Sequence, residues 1–177
     1  MKNVLITIAI IITFLLIYFL QANFFSWFTI AGVKPNVFVI LIIFVALFAP
    51  KSLSISFAVL AGIFLDAVVG KKVGVSAIMF GIIALLGIYF DKNFSKDSKL
   101  TIILMIVGST VLYEVGMYLI STLSTGGTLE FIGFIKILAI EVIYNIFITI
   151  ILYPIIRTAG HYIEEETKGT KILTRYF

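Results

Sequence analysis

Charge is scarce in this chain of 177 residues. Asp, Glu, Lys and Arg together make up 12% of it, while hydrophobic residues make up 62%. Soluble domains carry about 25% charged residues and are only about half apolar. With a mean hydropathy of +1.21, the chain has too little polar surface to cover a water-soluble globule. The composition therefore indicates an integral membrane protein.

Cysteine is absent and histidine occurs once, at His161. The absence of cysteine excludes disulfides, thiolate nucleophiles and cysteine-ligated metals. A single histidine excludes a histidine-cluster metal site, and we expect His161 to lie in a solvated tail. No metal site is predicted.

The sequence also lacks the groups that catalysis needs. Asp66 is the only aspartate inside the apolar segments, whereas intramembrane aspartyl proteolysis requires two. No serine lies in a nucleophile motif. The net charge of +4 comes from basic residues spread over the chain, unlike the patch of a nucleic-acid-binding protein. We expect no enzyme activity, no catalytic residue, no cofactor and no bound nucleic acid.

Apolar segments predict an all-α polytopic membrane protein with about six transmembrane helices in one domain, 1–177. The first apolar segment, residues 3–21, is longer than the apolar core of a signal peptide and lacks a small-x-small cleavage site. We therefore interpret it as an uncleaved helix. Pro50 is expected at or near the start of the third, and residues 157–177 are expected to form a cytoplasmic tail. The segments cover residues 3–21, 37–49, 53–69, 73–90, 100–123 and 134–156.

The distribution of basic residues predicts the orientation. Cytoplasmic loops of membrane proteins are enriched in Lys and Arg. With both termini in the cytoplasm, nine basic residues lie inside and four outside. The four outside are Lys34, Lys71, Lys72 and Lys136.

Asp66 lies on a face of small side chains in the third segment. Positions four apart share a helix face, and small residues there allow close helix contact in lipid. Asp66 is therefore expected in a helix contact, where it caps or pins the following turn or pairs with Lys71 or Lys72. The face consists of Ser54, Ala58, Gly62, Asp66 and Gly70.

Two further polar stripes lie on the last two segments. Intramembrane acids face protein or a cavity rather than lipid. Two hypotheses remain open: hydrogen-bonded structural residues, or a proton relay or polar ligand pocket that involves Glu114, Glu141 and Asn145. The stripes are Thr110, Glu114, Tyr118 and Thr122, and Glu141, Asn145, Thr149 and Tyr153.

Residues 34–79 resemble the bacterial rod shape-determining protein MreD family. The resemblance begins with the Lys-Pro-Asn of residues 34–36, which include Pro35 and Asn36, before a short helix. Pro50 follows at the next break. Glycines then lie at steps of four around an aspartate: Gly62, Asp66, Gly70 and Gly74. The resemblance assigns these residues structural or partner-binding roles, and it assigns none to Glu114 or Glu141.

The resemblance implies a non-catalytic scaffold in the inner membrane of a rod-shaped bacterium. Such proteins belong to the elongation complex that directs lateral peptidoglycan synthesis. They pair with MreC, a single-pass protein, and act with MreB, RodA and the elongation transpeptidase, in contact with membrane lipid. The implied fold is similar to the six-helix substrate-binding subunits of energy-coupling-factor transporters. That likeness supplies the alternative function, vitamin binding for transport.

Overall fold

The computed structural model describes residues 2–69, 74–94, 98–126 and 130–168. In these ranges the chain forms seven helices and no strand. The helices are α1 (Lys2–Ala22), α2 (Phe24–Trp27), α3 (Val37–Phe48), α4 (Lys51–Val69), α5 (Val75–Asn93), α6 (Lys99–Thr125) and α7 (Phe131–Lys168).

Within the described ranges, five helices are long and apolar enough to cross a membrane, namely α1, α4, α5, α6 and α7. The shorter apolar helix α3 has 12 residues. At about 1.5 Å per residue it is about 18 Å long, so it reaches only part of the way across a hydrocarbon core of about 30 Å. The prediction of an all-α polytopic membrane protein is confirmed.

The short helix α3 lies at the centre of the bundle. It packs against α1, α4, α5, α6 and α7. All of its residues except Phe44 are buried, as expected for a helix that is apolar on every face. Phe14 of α1 contacts Phe38 of α3 and also Phe57 and Phe64 of α4, so an aromatic cluster holds α1 against this centre.

The last helix is longer than the sequence predicted. It continues through Pro154 to Lys168, although the predicted segment ended at residue 156. A proline removes one backbone donor, but here the helix beyond it is held by packing. The ring of His161 lies 5.7 Å from the ring of Phe48, and Gly160 is also packed against Phe48.

The predicted end of the last helix at residue 156 is therefore wrong, because residues 157–168 continue that helix. Their cytoplasmic location stays a prediction. His161 packs on α3 and does not lie in a solvated tail. Residues 169–177 lie outside the described part of the chain.

Candidate functional site

A cleft of about 420 Å³ opens at the end of the bundle where α1 and α4 end and α3 and α5 begin. We call it the polar cleft. Its polar side chains come from five helices and from the segment before α3. They are Tyr18, Gln21, Lys34, Asn36, Asp66, Ser76, Tyr113, Glu114 and Glu141.

Asp66 caps the start of the neighbouring helix. Its side chain is 1% exposed, and its Oδ2 accepts hydrogen bonds from the backbone N–H groups of Gly74 (2.8 Å) and Ser76 (2.9 Å). The first N–H groups of a helix have no partner within the helix, and the helix dipole favours a negative charge there. A carboxylate of α4 therefore supplies the cap that Gly74, which has no side chain, cannot supply to α5.

Two glycines make this capping geometry possible. Gly74 has φ +105°, a backbone conformation that other residues rarely adopt. At Gly62, an added Cβ would lie 2.3 Å from the Cα of Ala77, so α4 and α5 touch backbone to backbone. The face of Gly62 and Asp66 is thus covered by α5 of the same chain. Gly70, Lys71 and Lys72 lie outside the described residues.

The segment before α3 closes one side of the polar cleft. The Gln21 amide donates from Nε2 to the carbonyl of Pro35, and its Oε1 accepts from the backbone N–H of Val37 at 3.4 Å. Asn36 caps α3 through its side chain, which accepts from the N–H of Val39 at 3.4 Å. Pro35 and Asn36 are therefore held against the end of α1.

Asn145 of α7 connects the segment before α3 to α6, so that it joins this segment to the two longest helices. Its side chain is fully buried. Oδ1 accepts from the backbone N–H of Asn36 at 2.7 Å, and Nδ2 donates to Oγ1 of Thr110 at 3.0 Å. Three elements that are distant in sequence are thus joined by one amide.

Two carboxyl groups meet at the wall of the polar cleft. Glu141 is 6% exposed, and its carboxyl group contacts the side chains of Glu114 and Asn36. In the described part of the chain, Oε1 of Glu141 and Oδ1 of Asp66 are buried without a hydrogen-bond donor. A buried acceptor without a donor costs free energy, so this cleft would gain from a ligand that carries donors.

Among the described residues, three acids and one basic side chain, that of Lys34, line the cleft. The Nζ of Lys34 donates to Oγ of Ser26 at 2.8 Å, which places the ammonium group toward α2. Among the described residues, no group of three or more metal-ligating side chains is close enough to hold a metal ion.

Five of the site residues that the sequence predicted line the polar cleft, namely Pro35, Asn36, Asp66, Glu114 and Glu141. Both polar stripes face the protein: Thr110, Glu141, Asn145 and Thr149 are buried, and Glu114 lines the polar cleft.

Sequence reasoning missed Tyr18, Gln21, Ser76 and Tyr113 as residues of this site. The sequence carries a signal for Tyr113, because it follows Thr110 by three positions and so lies on the same helix face, but none that would have distinguished the other three.

The family comparison matches nearly the whole chain. The family model of the rod shape-determining protein MreD covers residues 1–159. No match was found among curated proteins or among solved structures. Residues 1–159 include every described residue that lines the polar cleft. The chain therefore belongs to the rod shape-determining protein MreD family.

Proposed function

We propose that this protein is a non-catalytic membrane scaffold of the rod complex, which binds an MreC-like single-pass partner and so regulates cell shape and lateral peptidoglycan synthesis. The observation that carries the proposal is the family match over residues 1–159. Family membership supports a role in rod shape determination. The partner, the indirect association with MreB, RodA and the elongation transpeptidase, and the location in the inner membrane with cytoplasmic termini belong to the proposal.

The packing of the bundle supports a scaffold. Its polar side chains serve mainly to join helices: Asp66 joins α4 to α5, and Asn145 joins α7 to α6 and to the start of α3. Interhelical hydrogen bonds of this kind stabilise contacts within lipid. A rigid bundle is what a partner helix requires as a platform.

Co-purification with the partner tests the scaffold. The full chain and a full-length MreC-like protein are expressed together, solubilised in mild detergent and separated by size. We expect one complex that survives dilution, and an unrelated single-pass protein serves as the control. Restoration of rod shape in a depleted strain, without any such complex, would contradict the proposal.

The polar cleft favours a second candidate, which is binding of a small molecule as in a vitamin-transport subunit. Ligand pockets commonly measure about 300–1,000 Å³ and present a few convergent polar groups. The cleft of about 420 Å³, with two buried oxygens that lack donors, meets this description.

Mass spectrometry of the purified protein distinguishes the two functions. A retained vitamin, lost in Glu141→Gln but kept in the exposed control Glu165→Gln, would overturn the scaffold as the principal function. We expect no retained vitamin and a co-purifying partner.

A further inference from the structure

A second cleft, of about 410 Å³, lies between the first turn of α6 and the part of α7 around Pro154. We call it the basic cleft. Lys99 and Arg157 line it, and no acidic side chain of the described residues does. Arg157 follows Glu141 by 16 positions on α7, or about 24 Å at about 1.5 Å per residue. The basic cleft is thus a separate site, at the other end of the bundle.

The side chains of Lys99 and Arg157 both line the basic cleft. Nζ of Lys99 lies 5.4 Å from the ring centre of Tyr153, so the aromatic face supports the ammonium group. Tyr153 and Arg157 are one helical turn apart on the same face of α7. The start of α6, capped by Ser98, adds the positive end of a helix dipole. The charges of Lys99 and Arg157 and the dipole of α6 all favour binding of an anion in the basic cleft.

The depth of the basic cleft matches the headgroup layer of a membrane. Lys51, Lys92 and Lys99 lie at this end of α4, α5 and α6, and charged side chains avoid the hydrocarbon core. Tyr153 is an amphipathic aromatic residue of the type enriched at this boundary. Toward the membrane the cleft continues into apolar side chains: Ile150 lines it with 55% exposure, and Leu104 is 61% exposed beside Ile103.

We propose that the basic cleft binds the phosphate group of one anionic phospholipid, with an acyl chain along the exposed apolar faces of α6 and α7. An anion in water would satisfy only the two cations. A phospholipid satisfies these and also covers the apolar wall, since its chains remain in the hydrocarbon layer.

Lipid exchange followed by native mass spectrometry tests this site. The full-length protein is purified in detergent and offered phosphatidylglycerol or zwitterionic phosphatidylcholine. We expect one tightly retained phosphatidylglycerol. In the variant Lys99→Gln/Arg157→Gln the apparent affinity should fall roughly twenty-fivefold, since each basic residue near an anionic lipid contributes about fivefold.

Two matched variants control for charge and folding. Lys51→Gln/Lys92→Gln removes the same charge from exposed positions at the same end of the bundle and should retain the lipid. Lys99→Arg/Arg157→Lys keeps both charges in the basic cleft and should also retain it. Helical content and elution volume confirm that each variant is folded.

Several outcomes would overturn the proposal. Equal losses in the two glutamine variants would show general surface attraction. Equal retention of phosphatidylcholine would show that the phosphate charge is not recognised. Displacement of the lipid by inorganic phosphate at a similar affinity would identify a free anion as the ligand.

Discussion

The Asp66 side chain shows what allows a carboxylate to be retained inside an apolar bundle. Transfer of a charge from water is costly, and here the charge is placed against the first N–H groups of α5. Two backbone donors bond one of its oxygens, and hydrogen bonds to charged groups are the stronger ones. The acid therefore contributes to the structure of the turn between α4 and α5.

Substitutions of Asp66 distinguish the role of its hydrogen bonds from the role of its charge. Asp66→Asn keeps a side-chain oxygen for the N–H groups of Gly74 and Ser76, so the protein should accumulate and maintain rod shape. Asp66→Ala leaves both donors without this acceptor and should destabilise by about 2 kcal/mol or more. Cell shape at matched protein levels is the measurement. Rounded cells with Asp66→Asn would show that the charge itself is required.

Gly62 offers a second test at the residue scale. Gly62→Ala places a Cβ 2.3 Å from the Cα of Ala77, and such overpacking costs about 1–3 kcal/mol. The control Gly81→Ala, in the same pair of helices, meets Val59 at an ordinary 3.6 Å and should be neutral or slightly stabilising, since alanine favours a helix. Apparent melting temperatures in detergent provide the comparison. A similar melting temperature for both variants would contradict the close approach.

Among the elements, α7 takes part in both clefts. Its polar residues recur every four positions from Glu141 to Tyr153, and the same spacing continues to Arg157 and His161. At about 3.6 residues per turn a row at steps of four winds gradually around the helix. Along its length it reaches the polar cleft, the bond to Asn36, the basic cleft and the ring of Phe48 in turn.

We expect the two hydrogen bonds of the Asn145 side chain, to Asn36 and to Thr110, to be energetically coupled. Asn145→Leu removes two hydrogen bonds and leaves the N–H of Asn36 without its acceptor, so we expect a loss of about 1–3 kcal/mol. Thr110→Val removes only one of the two bonds and should cost about 1 kcal/mol. The double variant should be little less stable than Asn145→Leu alone. Fully additive losses in thermal unfolding would refute this coupling.

On the scale of the whole molecule, the predicted orientation assigns the two clefts to opposite sides of the membrane. In the predicted orientation the polar cleft faces outward and the basic cleft faces the cytoplasm. Among the described basic residues, Lys34 and Lys136 then lie on the outer side, and the others lie toward the cytoplasm, namely Lys2, Lys51, Lys92, Lys99, Arg157 and Lys168. Such an excess of basic residues is typical of the cytoplasmic side.

The absence of cysteine makes this orientation easy to measure. Asn23→Cys and Asn93→Cys introduce single thiols at two exposed positions near opposite ends of the bundle. An impermeant maleimide should label Asn23→Cys in intact cells and Asn93→Cys only after the membrane is opened. Labelling of Asn93→Cys from outside would reverse the topology.

The sequence by itself determined the class of protein and the approximate positions of its six apolar helices. Low charge and long apolar runs admit only membrane-spanning helices, because lipid offers no partners to exposed backbone groups. Spacing by four also predicted which side chains point inward, such as Glu141 and Asn145, since that period is a property of one helix.

Only the tertiary structure decided which neighbour each inward face meets. It placed α5 on the face of Gly62 and Asp66, and it brought Asn36 and Thr110 to Asn145. It also extended α7 past Pro154 by packing Gly160 and His161 on Phe48. These contacts join residues far apart in the chain, and in a single sequence the periodicity of one helix carries no information about the helix that packs against it.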